Sequence, residues 1–262
     1  MDAQSFMQEQ LTYLSINPIL QYFPFVKRCN LAKYVPTLRR INKSIPYSFT
    51  QVKLKDEDGI ICVDLDGITW EFVRETEREG TVVPSRGRSF RTNDVTRDVY
   101  ALIRHFLHRE NSRVKLFSAR DVPILPGIIS VEDIHHLIVI CASRRNIEED
   151  LKEFRDASIG ILEVHVSTGR TAWVEEISNL RCKELRIKTS FVTPDDIFSG
   201  LNVKKLQIDE SVTNLAKFKR ICREFKDRKM ELGSWYSGKF QLNVDRIWKS
   251  IKQSQTVEVS GE

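Results

Sequence analysis

Residue types that carry most biological chemistry are sparse here and poorly clustered. His105 and His108 lie three apart in the helix-like stretch DVYALIRHFLHR, and His135-His136 precede an apolar run. An i, i+3 histidine pair binds a metal only where other ligands converge, and no cysteine or acid cluster stands beside either pair. Surface or partly buried imidazoles are the expectation. No Ser-His-Asp order and no Gly-x-Ser-x-Gly elbow is present, so acyl transfer of that kind has no machinery. Asp64 and Asp66 end the apolar run of IICVDLDGITW, and Gly67 follows, which makes Asp66-Gly67 a hairpin signal as well. SRGRSFRT at 85–92 is basic with one aromatic. It could touch phosphate or carry a phosphorylation site, but reads first as a solvated loop. Trp173, Trp235 and Tyr236 are candidate binding anchors, with core packing the default.

These residues must be positioned by elements, and the largest pattern runs from 113 to 234. A phrase of alternating apolar residues closed by serine recurs there: Arg113-VKLFS, Ile138-VICAS, Leu162-EVHVS, Leu185-RIKTS, Leu206-QIDES and Lys229-MELGS. The serines, Ser118, Ser143, Ser167, Ser190, Ser211 and Ser234, are 21 to 25 residues apart. Alternation marks half-buried strands. The spacers NIEEDLKEFRDA, TAWVEEISNL, TPDDIFSGL and SVTNLAKFKRICREFKD suit helices, which the serines could cap. A strand-plus-helix unit this short fits a divergent leucine-rich-repeat-like stack, each unit burying its apolar face on the next. A chance run of β/α elements in an ordinary α/β domain is the alternative.

Ahead of this half lies a different grammar. In 11–46, Pro18, Pro24, Pro36 and Pro46 mark off three short helices. Ser15 caps the first, the second covers Phe25 to Tyr34, and Pro36 opens the third, with Leu38 and Ile41 inward. So small a module should pack on the rest of the chain. Residues 49 to 74 hold three apolar runs separated by Asp58-Gly59 and Asp66-Gly67, the signature of a three-stranded meander. Residues 75 to 97 are polar and aperiodic and read as a long exposed loop. Val99, Leu102, Ile103, Phe106 and Leu107 then return to helical spacing. Near the end, Val244, Ile247, Trp248 and Ile251 mark a last helix over the open end of the stack, and the tail QSQTVEVSGE reads as loose.

Composition narrows the class of partner. The chain has 262 residues, 41% hydrophobic and 29% charged, with a net charge of +5. Its cations are interspersed with 36 acids, so nucleic acid is not expected. Five scattered cysteines without a CxxC pair argue against a disulfide framework or zinc site and for a reducing compartment. MDAQSFMQEQ has neither a basic nor an apolar signal region, and no window suits a membrane span. A cytoplasmic or nuclear, unsecreted protein is expected.

Two resemblances bear on function. IICVDLDGITW resembles the first motif of the haloacid-dehalogenase phosphatases. That resemblance implies Asp64 as nucleophile, Asp66 as acid–base and Mg²⁺ held by both, with Ser118 and Asp195-Asp196 as later motifs. Ile68 intervenes where that family has Thr or Val directly after the glycine. Asp195-Asp196 follow Thr193-Pro194 at a helix start, where acids favour the dipole anyway. The phosphatase is therefore the third reading. LTYLSINPILQYF, the Arg28-Cys29 turn and VPTLRRINKSIPYSFTQVKL resemble the start of the nematode-specific F-box C-type family, and the order of meander, polar gap, VYALIRHFLHREN, VKLFSAR and strand–helix units resembles it too. The family implies a helical module that docks on the adaptor of a cullin-based ubiquitin ligase and a C-terminal half that recruits a target.

Leu11, Ile16, Ile19, Leu20 and Phe23 have the spacing that a helix-in-groove contact needs. The expectation is an α+β chain: an F-box-like helical module at 1–48, a β-meander and polar loop at 49–98, a leucine-rich-repeat-like β/α half at 99–252 and a loose tail at 253–262. It is expected to be a non-enzymatic substrate-recognition adaptor without cofactor or metal. An interaction scaffold with no ligase link is the first alternative, ahead of the phosphatase.

Overall fold

Prolines and Asp-Gly pairs punctuate the first third of the fold. The structure, a computed structural model, describes residues 16, 18–109, 111–122, 129–141, 147–166, 172–189, 203, 205–213, 215–229 and 234–240. Residues 18 to 21 form a helical turn that stops before Pro24. Helix α1 (Phe25–Tyr34) starts directly after that proline, and α2 (Pro36–Ser44) takes Pro36 as its first residue, where a missing N–H costs nothing. Arg28 and Cys29 lie inside α1 rather than in a turn.

Strands follow. Asp58-Gly59 joins β1 (Ser48–Glu57) to β2 (Ile60–Leu65), and Asp66-Gly67 joins β2 to β3 (Ile68–Arg74), both antiparallel. The turn residues have φ of 52° and 82°, then 52° and 83°. Paired positive φ is what a two-residue type I′ hairpin requires, and Asp-Gly supplies it. Two more antiparallel strands, β4 (Gly80–Pro84) and β5 (Phe90–Thr92), extend the meander. They correct the expected long loop over 75–97. Only Gly80, Val82 and Thr92 of these strands are buried, a pattern too short to read through so polar a sequence. Helix α3 (Val95–Leu107) follows, capped by Asp94, whose carboxylate accepts the Arg97 N–H at 2.9 Å. Val95, Val99, Ile103 and Leu107 form its buried stripe.

From here every strand runs the same way. β6 (Ser112–Arg120) pairs parallel with β1. β7 (Val131–Cys141), β8 (Ser158–Val166), β9 (Arg181–Thr189), β10 (Lys205–Thr213) and β11 (Trp235–Phe240) then each pair parallel with the strand before. Among the described residues one eleven-stranded sheet results, ordered β11 to β6, then β1 to β5. β1 is the seam between the parallel and antiparallel parts. Crossovers of one hand that advance in one direction put their connections on one face. Helices α4 (Ile147–Lys152), α5 (Ala172–Ser178) and α6 (Leu215–Asp227) lie in three of the four predicted spacers; the fourth, 193–201, and the terminal helix and tail lie outside the described residues.

Two buried rows cross the sheet. One joins Val52, Phe117, Leu137, Leu162, Leu185 and Leu206; the other joins Leu54, Ala119, Val139, Val164, Ile187 and Ile208. Ile147, Leu151, Phe154, Trp173, Val174 and Ile177 complete this core from the helical side, and the Phe117 and Phe154 rings meet edge to face at 5.3 Å. Trp173 is thus a core residue. The serine phrase has the sheet's register at Leu162, Leu185 and Leu206 but misses by one in β7, where Leu137 faces the core and Ile138 does not. Ser118 and Ser211 lie within strands, so neither stands at a helix start. Ser234 precedes β11, and its Oγ accepts the Leu206 N–H at 3.2 Å. Ser143, Ser167 and Ser190 lie outside the described residues.

The slip has a physical origin. Buried positions are three apart in Phe49/Val52, Val114/Phe117, Ile134/Leu137 and Ile159/Leu162, where a regular pleat would send them to opposite faces. Register pairing holds the slip at one level across β1, β6, β7 and β8. There a Cβ on Gly160 would lie 2.6 Å from the His135 carbonyl oxygen, so backbone approaches where only glycine fits. Among the described residues no helix is long and apolar enough to cross a membrane.

Candidate functional site

Two surfaces combine ordered side chains with exposure. The first is the helical module. Leu20, Ile41 and Ile45 make a small core of their own, against which Ile16, Leu31 and Leu38 pack. Beneath it, Arg28 braces α1 against α2 and the segment that leads into β1. Its guanidinium is buried and donates from Nε to Asn42 Oδ1 at 2.9 Å, from Nη1 to the Pro46 carbonyl at 2.7 Å and from Nη2 to the Ile45 carbonyl at 3.1 Å. Arg109, beyond α3, donates to the Asn42 and Ile45 carbonyls at 2.8 and 3.2 Å. The Tyr47 ring faces both guanidinium carbons, at 4.5 and 4.1 Å, an arrangement that favours cations. Asn42 Nδ2 donates to the Tyr47 hydroxyl at 3.1 Å. Burial lowers the pKa of Arg28 and raises that of Tyr47, yet a guanidinium stays charged. Phe25 closes the joint edge to face with Tyr47 at 5.1 Å and Phe106 at 5.3 Å. The module therefore packs on the sheet, as its size demanded.

Among polar and basic neighbours such as Lys27, Arg39 and Arg40, the module also shows apolar side chains to solvent. Ile19, Tyr22 and Phe23 are 55%, 87% and 38% exposed, and Tyr34 and Val35 at the α1–α2 junction are exposed too. Ile19, Tyr22 and Phe23 stand at i, i+3, i+4, where the helical turn of 18–21 runs into a turn and bend. Of the five predicted anchors, Ile19 and Phe23 are therefore outward. Leu20 is corrected: it is 4% exposed and belongs to the module's core. Ile16 is half-buried against the same cluster, and Leu11 lies outside the described residues. Sequence reasoning missed Tyr22, Tyr34 and Val35, although the Ile19 to Tyr22 spacing was a usable signal.

The acid pair is taken up by its hairpin. Asp64 Oδ1 accepts the Gly67 N–H at 3.0 Å and Oδ2 accepts the Thr69 hydroxyl at 3.1 Å. Asp66 Oδ1 accepts the Gln51 N–H at 2.7 Å, and burial raises its pKa. Both residues lie in an antiparallel meander, so Asp64 does not end a central parallel strand as the phosphatase reading requires. Ser118 sits four strand positions beyond Val114 in β6, and Asp195-Asp196 lie outside the described residues. Among the described residues no group of three His, Cys, Asp or Glu is placed to hold a metal. Burial also lowers the pKa of His105 and pushes the Cys182 thiol up to about 11.

The second surface is the sheet face opposite the helices, over β7 to β10. Here the sequence's alternation puts Glu163 between Leu162 and Val164, and Glu184 before Leu185. Glu163 receives His136 Nε2 at 3.2 Å, His165 Nε2 at 2.6 Å and Lys188 Nζ at 2.7 Å. Burial pushes the Glu163 carboxyl up, but Lys188 and His165 outweigh it and hold it at about 2. Glu184 receives Arg186 Nε at 2.6 Å and Lys205 Nζ at 2.5 Å, which likewise lower its pKa against burial. Only the i, i+2 pairs Glu163/His165 and Glu184/Arg186 hinted at these groups in the sequence. No family model matches the chain, and neither a curated protein nor a solved structure matches it.

Proposed function

We propose that this chain is a non-enzymatic protein-interaction protein of the cytoplasm or nucleus, an F-box-like substrate-recognition adaptor of a cullin-based ubiquitin ligase. The helical module would seat on the ligase adaptor protein, and the leucine-rich-repeat-like β/α half would hold the target. One observation carries the reading: Ile19, Tyr22 and Phe23 present apolar side chains to solvent while Arg109, from beyond α3, ties the module to the rest of the chain. An apolar face at this spacing suits a partner's groove, and a rigid joint would fix the target's position relative to the ligase. The one-way order of parallel strands supports a stack of short β/α units rather than a doubly wound sheet.

The test is capture of the ligase adaptor by the full chain beside an Ile19→Asp, Phe23→Asp variant whose folding is checked by circular dichroism. Capture by the parent and loss in the variant is the expected result. If neither binds, the ligase link fails, and an interaction scaffold working through the sheet remains as the second reading. That reading is favoured by the ordered charges on the sheet's open face.

A further inference from the structure

We infer that the open face over β7 to β10 docks an extended segment of a partner protein with acidic residues at alternate positions. The inference rests on the interaction-protein reading and names the chemistry of what the sheet recruits. Charge on this face is layered. The side chains of Glu163 and Glu184 are 9% and 10% exposed, while His136, His165, Arg186, Lys188 and Lys205 range from 22% to 49%. An approaching molecule therefore meets basic heads, with the carboxylates beneath them. Asp209, opposite Lys188 in the β9–β10 register, is an exposed acid there, as are Glu132 and Asp133 at the start of β7.

The basic heads keep donor capacity. Glu184 engages Arg186 through Nε, and the Nη pair has the fork geometry that takes a carboxylate two bonds at a time. Lys188 and Lys205 each give one contact to a glutamate, whereas an ammonium has three donors. The glutamates thus hold the cations in place without exhausting them, which reduces the ordering cost of binding. Arg186 and Lys188 stand two apart on β9, about 7 Å along the strand. An extended segment repeats its side chains on one face at the same spacing, so alternate acids meet successive cations. A phosphodiester chain fits less well: its evenly spaced charges call for unpaired cations in series, and each cation here already faces a glutamate.

A fluorescent peptide of alternating Glu and Ser, titrated into the full chain at low salt, tests this. It should bind, and weaken as salt screens the contact; a Lys-Ser peptide should not bind. Lys188→Gln with Arg186→Gln should cost about a hundredfold in affinity, each of the two lost charged contacts being worth about tenfold. Lys188→Arg should keep the affinity, which separates lost charge from lost folding. Equal binding by parent and double variant, no binding of the acidic peptide, or tighter binding of a single-stranded oligonucleotide would overturn the inference. Adaptor capture is measured in parallel. Capture without peptide binding sinks this inference alone, and peptide binding without capture sinks the ligase link alone.

Discussion

The helical module and the open face of the sheet are built on the same plan with opposite chemistry. Under the module lie polar groups, Arg28 and Asn42, both buried, and above them stand apolar side chains. On the sheet the buried polar groups are carboxylates, and the groups above them are basic side chains. In both places the hidden layer has its hydrogen bonds met inside the protein, as burial demands, and fixes where the outer layer stands. On the proposed reading the outer layers differ in what they would recognise: one an apolar groove, the other an acidic strand. Removing a hidden group should therefore change stability, and removing an outer group should change binding. This division can be broken by experiment.

The largest effect belongs to Arg28. Arg28→Met keeps volume but removes three donors, leaving Asn42 Oδ1 and the Pro46 carbonyl without their partner. A loss of about 3 kcal/mol is expected, read as a lower urea midpoint with faster hydrogen exchange in α1 and α2 than in β7 and β8. Uniform exchange across both regions would mean that the module is not held separately by this joint. Next is Glu163. Glu163→Gln should cost about 2 kcal/mol at neutral pH, the scale for stranding charged donors. A carboxyl held at about 2 against an ordinary 4.5 contributes stability that is complete above about 4.5 and lost as pH falls toward 2. The gap between parent and Glu163→Gln should close over that window in urea titrations at successive pH. A gap that stayed constant down to the lower end would place the stabilising contacts elsewhere.

Local signals made much of this legible. Proline positions gave α1 and α2 their ends, Asp-Gly gave two hairpins, and spacer periodicity gave α4, α5 and α6. The features that stayed hidden depend on distant partners. β4 and β5 pair with neighbours across turns whose composition is polar throughout, and the slip in β6 and β7 is imposed by register with β1 and β8. Glu163 meets His136 and Lys188 from strands 27 and 25 residues away, a meeting no local pattern announces. Leu20 and Ile19 show the same limit at short range. Both are apolar and adjacent, and only Ile41 and Ile45, supplied by the next helix, decide which of them turns inward.

The smallest effect on stability is also the sharpest test of the division. Ile19→Asp with Phe23→Asp changes two outward side chains that the small core of Leu20, Ile41 and Ile45 does not include. Surface substitutions away from caps and networks stay within about 0.5 kcal/mol, so thermal unfolding should barely move while adaptor capture is lost. Leu20→Asp should do the reverse of this in stability, since it buries a charge among apolar groups, and its failure to bind would say nothing about contact. If the outward pair proved as destabilising as Leu20→Asp, Ile19 and Phe23 would be part of the module's own packing, and the apolar face would lose its claim to a partner.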